Sequence, residues 1–361
     1  MQQTVEPNRT LLVDGPASVK VVSGKAEVFS CLVKPDRKVL VREGKRLPFY
    51  VIEKTVFEIS LSATAVIEET AGNTIPNSWS LPLERILNAP KKPQVILVLG
   101  KIDSGKSSYC TYLLNNLVKG KCRVAILDGD LGQSDIGSSG TVNYAFTSKQ
   151  IPELYELKTE NGFFVGVTSP MKAIVRTVEA LAVMRAEILQ KPVDFVVVNT
   201  DGWVEGDIAV KYKESLVNEL KPDLIVGIQA ADELDDLVSQ LKQQVLIVKV
   251  SSSLNQRSTE KRKSLREMTY AKYLKDAKVQ SYPKSQLVIE PGNVFSQDQV
   301  PKKGLLVGLY DSGNKFLGIG VLREFNRVRK ALKVETAVSA KPLRIVIGKV
   351  RLDEKFRETQ D

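Results

Sequence analysis

Val95-Ile96-Leu97-Val98-Leu99-Gly100-Lys101-Ile102-Asp103-Ser104-Gly105-Lys106-Ser107-Ser108 is the stretch on which the reading of the fold turns. The apolar run 95–99 is short and continuous, as expected of a strand covered on both faces. The turn after it fits G-x-x-x-x-G-K-[ST], and a helical pattern runs on through Leu117. Strand, glycine-bearing turn and helix in that order are what make this motif credible as a phosphate-binding loop. Its glycines let backbone N–H groups converge on an anion, and the helix adds the positive end of its dipole. A chance match in a glycine-bearing turn is the bland alternative, and the flanking elements weigh against it. Gly100, Lys101, Ile102, Asp103, Ser104, Gly105, Lys106, Ser107 and Ser108 are therefore the expected nucleotide-binding segment. Lys106 is expected on the β- and γ-phosphates and Ser107 on Mg²⁺.

Further apolar runs follow at 123–127, 163–167, 195–198, 224–228 and 245–250, with helical patterns at 171–190, 207–220 and 231–242 between them. Apolar strands alternating with helices imply an α/β core around a parallel sheet. Before it, residues 19–22, 25–29, 38–41 and 56–61 alternate with period two between turn residues, as in a small antiparallel sandwich. A polar, proline-bearing connector is expected over 72–93. After about residue 284 the strand texture returns, with 304–310 and 316–322 flanking the turn Asp311-Ser312-Gly313-Asn314 and further runs at 333–338 and 343–352. The expected organisation is an N-terminal β-sandwich-like domain (1–90), a P-loop NTPase domain (91–284) and a C-terminal β domain (285–361).

Composition narrows the chemistry. The chain of 361 residues contains no histidine, which removes Ser-His-Asp and Cys-His catalysis and His-ligated metals. Carboxylates, lysine, arginine and hydroxyls remain, and phosphoryl transfer suits that inventory because it rests on positioning and charge stabilisation. The 3 cysteines form no CxxC pair, which argues against a disulfide framework and a zinc site. A net charge of +10 suggests a polyanionic partner, although a merely soluble basic surface carries similar charge. No run approaches the ~20 apolar residues of a membrane span, and the first residues lack a signal-type apolar segment. The expected setting is cytoplasmic, without a membrane partner.

Three other segments carry candidate chemistry. Residues 123–127 form a strand ending in Asp128-Gly129-Asp130-Leu131-Gly132-Gln133. Carboxylates at a strand's C-terminal edge beside a phosphate loop lie where a metal ion and an attacking group meet. Asp130 is the candidate to orient or deprotonate a hydroxyl, and Asp128 to hold a metal-bound water; for either, a solvated turn carboxylate is the plain alternative. Trp203 follows the apolar run 195–198 in a glycine-flanked acidic loop, where an aromatic ring can stack on a base, or else pack into the core. Residues 255–275 are strongly basic, and at helical spacing Arg262 and Arg266 share a face with Arg257 further upstream. Such guanidinium groups stabilise charge in transfer to or from a γ-phosphate, whereas an ordinary exposed basic helix has the same composition.

Two resemblances separate functional classes. Lys101 directly after the first glycine resembles the deviant phosphate loop of septum-positioning and plasmid-partition ATPases, which are dimeric switches. Ile102-Asp103 stands where that family has two glycines, and the family does not explain a preceding β domain. A nucleic-acid-binding module with a degenerate nucleotide site is disfavoured by the intact loop and Asp130. The whole constellation resembles the polynucleotide 5′-hydroxyl kinases, which include a eukaryotic mRNA cleavage-factor subunit, nucleolar pre-rRNA processing kinases and compact archaeal members. The shared features are Asp103 in the phosphate loop, Asp128-Gly129-Asp130-Leu131-Gly132-Gln133, Thr168-Ser169-Pro170, Thr200-Asp201-Gly202-Trp203 and the spacing of Arg257, Arg262 and Arg266. The resemblance implies ATP or GTP as donor, Mg²⁺ as cofactor and RNA or DNA 5′-hydroxyl ends as acceptor, with RNA-processing proteins as further partners. It implies catalysis by Lys106, Asp130, Arg257 and Arg262, and metal binding by Ser107, Asp128 and Asp130. Acceptor contacts fall on Gln133, Thr168, Thr200, Gly202, Trp203 and Arg266.

Overall fold

The computed structural model describes residues 1–89, 92–283, 288–290, 301–326 and 331–359. The expected domain boundaries at 90/91 and 284/285 lie outside the described residues. Two compact units emerge: Met1–Ile126 with Phe146–Lys158 and Ile188–Ser258, and Leu127–Ala145 with Thr159–Glu187 and Thr259–Asp361.

The first unit begins with a seven-stranded antiparallel sheet. Its strands are β1 (Gln2–Val5), β2 (Arg9–Asp14), β3 (Ala17–Val28), β4 (Cys31–Val33), β5 (Lys38–Val41), β6 (Arg46–Leu61) and β7 (Ile67–Ala71), in the order β4-β3-β6-β2-β7. The strands β1 and β5 pair with β6 and β3 off that path. The runs 19–22 and 25–29, expected as separate strands, are one strand, because register shifts around Gly24 (φ 90°) absorb the break without ending the pairing. The connector is not featureless: it contains helix α1 (Ser80–Leu87), preceded by the fully buried Trp79.

The same unit carries the nucleotide-binding core. Strand β8 (Gln94–Gly100) leads through the phosphate loop into helix α2 (Lys106–Lys119). With β9 (Val124–Asp128, whose last two residues belong to the second unit) and, further along the chain, β12 (Phe195–Asn199), β13 (Leu224–Gln229) and β14 (Val245–Lys249), the strand order is β9-β12-β8-β13-β14. The pairs β12·β8, β13·β8 and β13·β14 are parallel. Every residue of β8, β12 and β13 is buried, the mark of strands covered on both faces. Each buried Val, Leu or Ile there contributes ~1.5–3 kcal/mol. Helices α4 (Asp207–Leu220) and α5 (Asp235–Gln240) belong to this unit.

The second unit holds β10 (Thr141–Thr147, whose last two residues fall in the first unit), β11 (Asn161–Phe164) and α3 (Ile174–Leu189). The expected parallel strand over 163–167 is corrected here: β11 is shorter and runs antiparallel to β10, which the sequence reading did not anticipate. The chain turns at positive-φ Gly166, just past the end of β11, so the strand does not run on to residue 167. Helix α6 (Thr259–Tyr273) is followed by β15 (Lys278–Pro283), β16 (Val288–Glu290), β17 (Leu305–Tyr310), β18 (Phe316–Asn326), β19 (Ala331–Thr336) and β20 (Arg344–Arg351). These form a six-stranded sheet in the order β15-β19-β18-β17-β20-β16. The turn expected at Asp311–Asn314 joins β17 to β18, with Asp311 Oδ1 accepting from the N–H groups of Gly313 and Lys315 at 2.8 and 2.9 Å. The fold is thus α/β with flanking β sheets. Among the described residues no helix is long and apolar enough to cross a membrane.

Candidate active site

In the first unit, Gly105 (φ 91°) caps α2 and no side chain caps it, so the first-turn N–H groups face a loop without a competing side-chain acceptor. Lys106 is buried, and its ammonium donates to the carbonyls of Gly100 (2.9 Å) and Lys101 (2.7 Å), drawing the loop around the charge. The hydroxyl of Ser104 is buried without a hydrogen-bond partner among the described residues, an orphan that a phosphate oxygen would satisfy. A cradle of backbone donors, a buried lysine and an unsatisfied hydroxyl fits a nucleotide phosphate.

Asp103 has a positive φ of 57° and accepts from Arg257 in three ways: the backbone N–H (3.0 Å), Nε (2.8 Å) and Nη2. Arg257 lies just before α6, not within it, and its guanidinium is forked onto the phosphate loop. Ile102 and Lys101 meet the segment 200–205. A Cβ on Gly202 would lie 2.5 Å from the Ile102 nitrogen, so only glycine allows this approach. Lys101 pairs with Glu205 at 2.6 Å, and that contact raises the lysine's pKa from its ordinary value. Thr200 is fully buried and its hydroxyl donates to the carbonyl of Val98 at 2.8 Å, fastening the segment to β8. Trp203 is half-buried and stacks on Tyr212 with centroids 5.7 Å apart and planes at 23°.

In the second unit, the acidic loop is folded by its own carboxylates. The fully buried Asp128 accepts from Asp130 N (3.3 Å), the Ser134 hydroxyl (3.0 Å) and Asp135 N (2.8 Å). Oδ1 of Asp130 accepts from the N–H groups of Gly132 (3.0 Å) and Gln133 (2.9 Å), which fixes the carboxylate's orientation. Gln133 donates to the carbonyls of Gly132 (2.8 Å) and Arg262 (3.0 Å), tying this loop to the first turn of α6. Thr168 is brought to the same loop, since a Cβ on Gly132 would lie 3.1 Å from the Thr168 carbonyl oxygen. Arg262 contacts the Thr259 hydroxyl at 3.3 Å. Arg266 is forked onto Glu358 at 2.6 and 2.8 Å, with Tyr270 donating to the same carboxylate at 3.4 Å. That fork gives Arg266 an anchoring job near the end of the chain that helical spacing alone does not reveal. Full burial holds the Tyr270 phenol well above its ordinary pKa.

Among the described residues no three His, Cys, Asp or Glu side chains form a metal cluster. Reasoning from sequence missed Tyr212 and Lys213, which carry the Trp203 segment. The signal was present: Lys213 shares a helical face with the buried Ala209, Leu216 and Leu220, an unusual place for a lysine.

The strand–phosphate loop–helix arrangement of β8 and α2 on a parallel sheet defines a P-loop fold. Residues 100–276, about half of the chain, match the family model described as mRNA cleavage and polyadenylation factor CLP1 P-loop. It is 30% identical over 239 residues to the polyribonucleotide 5′-hydroxyl-kinase of Pyrococcus furiosus, covering 65% of this chain and 66% of the relative. The chain therefore spans about two thirds of that relative. Its likeness to the corresponding kinase of Methanocaldococcus jannaschii is 24% over 325 residues, covering 74% and 90%. The structure of a Clp1p–Pcf11p complex superposes with a TM-score of 0.77 over 97% of both chains at 14% identity, a likeness of fold. These relationships favour a polynucleotide kinase over a partition-type switch ATPase.

Proposed function

We propose that this protein transfers the γ-phosphoryl group of ATP or GTP to the 5′-hydroxyl end of RNA, with DNA ends as a second acceptor to be compared. The observation that carries the reading is the aromatic segment built directly against the phosphate loop, with Gly202 on Ile102 and Glu205 on Lys101. A partly exposed tryptophan beside the phosphate loop suits an enzyme that needs a base platform next to its donor nucleotide.

In the reaction the 5′-oxygen attacks the γ-phosphorus, forming the O5′–P bond as the bond from that phosphorus to the β,γ-bridging oxygen breaks. The nucleoside diphosphate leaves with the electron pair. Asp130, its carboxylate oriented by two backbone N–H groups, aligns the hydroxyl and takes its proton. Lys106 and Arg262 draw off the charge that spreads over the transferred group. Arg257, through Asp103, holds the phosphate loop closed and adds its charge there. Ser107, Asp130 and Asp128 would hold Mg²⁺ or its bound water, which when bound neutralises phosphate charge, and Asp128 also keeps the carboxylate loop folded. Gln133 and Thr168 steady the terminal nucleotide, Trp203 stacks on its base, and Arg266 holds α6 in place through Glu358. An RNA-processing protein partner and a cytoplasmic setting belong to the same reading, as do three functional parts, 1–90, 91–284 and 285–361.

The test is transfer of label from γ-labelled ATP, with Mg²⁺, to a short 5′-hydroxyl RNA, run beside the same RNA already carrying a 5′-phosphate. Label on the hydroxyl RNA alone is expected. ATP hydrolysis without label on any 5′-hydroxyl RNA or DNA would sink the assignment.

A further inference from the structure

Beneath Trp203 lies a buried polar group that the reaction above does not use. Lys213 is fully buried, and its ammonium donates to Oδ2 (3.0 Å) and to the backbone carbonyl (3.1 Å) of Asp201, itself buried. The Tyr212 hydroxyl donates to the same Oδ2 at 2.8 Å. The other carboxylate oxygen, Oδ1, accepts from the backbone N–H of Trp203 at 2.9 Å. One carboxylate therefore fixes both the backbone that carries the indole and the phenol whose ring stacks against it. The lysine ammonium lies 4.9 Å from the centre of that phenol ring, reinforcing the stack from within the helix.

Burying a lysine and an aspartate is costly, and a pair of apolar residues commonly serves stability as well or better. What the ion pair adds is geometry. Thr200 and Gly202 fasten the Thr-Asp-Gly-Trp backbone to β8 and the phosphate loop, but neither contact fixes the angle of the indole. The group Asp201, Tyr212 and Lys213 supplies that constraint from α4. Tyr212 stacks on the partly exposed indole, and the proposed base stack falls to the rest of that ring.

We propose that Asp201, Tyr212 and Lys213 are positioning residues that hold the Trp203 indole for stacking, so that they set affinity for the polynucleotide acceptor and not for the nucleotide donor. This deepens the kinase reading and rests on it. The residues act through Trp203, so their effects and that of Trp203→Ala are not additive.

The experiment measures label transfer with RNA and ATP varied separately, in wild type, Tyr212→Phe, Asp201→Asn/Lys213→Met and Trp203→Ala, and in the last two combined. The Asp201→Asn/Lys213→Met variant removes both charges together, so neither is left buried alone, and Tyr212→Phe keeps the ring while losing one hydrogen bond. The expected result is an acceptor KM raised about 5- to 10-fold in the charge-free variant and about 2-fold in Tyr212→Phe, as partial loss of one base stack. The ATP KM stays within about 2-fold, and adding Trp203→Ala to the charge-free variant gives no more than Trp203→Ala alone. A second readout needs no substrate. Trp79 is 1% exposed, so acrylamide quenching of tryptophan emission reports Trp203, and it should rise in the charge-free variant. Unchanged acceptor KM, effects that add fully to Trp203→Ala, or unchanged quenching would overturn the proposal. Wild type that labels no acceptor would instead overturn the kinase reading, whatever the quenching shows.

Discussion

The chain has 2 tryptophans, and they are built for opposite purposes. Trp79 precedes α1 with its ring edge-on to Tyr109 (5.1 Å, 85°) and to Tyr112 (5.6 Å, 64°) of α2, and its indole N–H donates to the carbonyl of Lys249 at 2.8 Å. Every part of it is used inside the fold, and it joins the connector to the helix of the phosphate loop and the end of β14. Trp203 has one face on Tyr212 and a backbone N–H on Asp201, and the ring is half exposed. The first is held by edge-on aromatic packing and one indole hydrogen bond, whereas the backbone and stacking partner of the second share a buried ion pair. Apolar contact fills space without fixing an angle, whereas a shared carboxylate fixes both backbone and ring.

The comparison breaks most visibly on stability. Trp79→Ala should cost ~3–5 kcal/mol, as for other fully buried aromatic truncations, read by chemical denaturation. Acceptor KM measured on the fraction that remains folded should not change. A loss below ~1 kcal/mol would mean that the ring is not the anchor described.

Trp203→Ala should do the reverse. It should weaken acceptor binding by ~1–3 kcal/mol, the range for loss of one base–aromatic stack, with little change in the denaturation midpoint. Equal losses of stability and acceptor affinity would erase the distinction between the two rings.

A smaller effect is expected at Lys101, whose ion pair with Glu205 joins the phosphate loop to the Trp203 segment on the exposed side. Lys101→Ala should change acceptor and ATP KM by less than ~3-fold, and by less still in high salt, because exposed pairs are weak and screened. A ten-fold change that survives salt would show that this contact, and not Gly202 against Ile102, couples the two segments.

What could be read in advance follows the same division. Periodicity and spacing are local signals, so β8, the phosphate loop and α4 over 207–220 were legible from runs of neighbouring residues. The 16-residue β6 was only half seen, because turn-like residues in its first part mask a strand that pairing sustains. In the Thr141–Thr147 strand the pairing with Asn161–Phe164 supplies what the glycine- and serine-rich approach conceals. Arg266 read as an acceptor-facing cation because Glu358, its partner, is 92 residues away in sequence. Lys213 and Asp201 are only 12 residues apart, but a lysine on a helix reads as solvated until its neighbours at helical spacing prove to be buried.

In the proposed reaction Asp130, held by the N–H groups of Gly132 and Gln133, serves the attacking 5′-hydroxyl. Single-turnover label transfer to 5′-hydroxyl RNA by Asp130→Asn tests it most directly, beside wild type and with ATP binding measured separately. Transfer should slow by ~10²–10⁴-fold, the range for a general acid–base group, with ATP still bound. Transfer at the wild-type rate would contradict it.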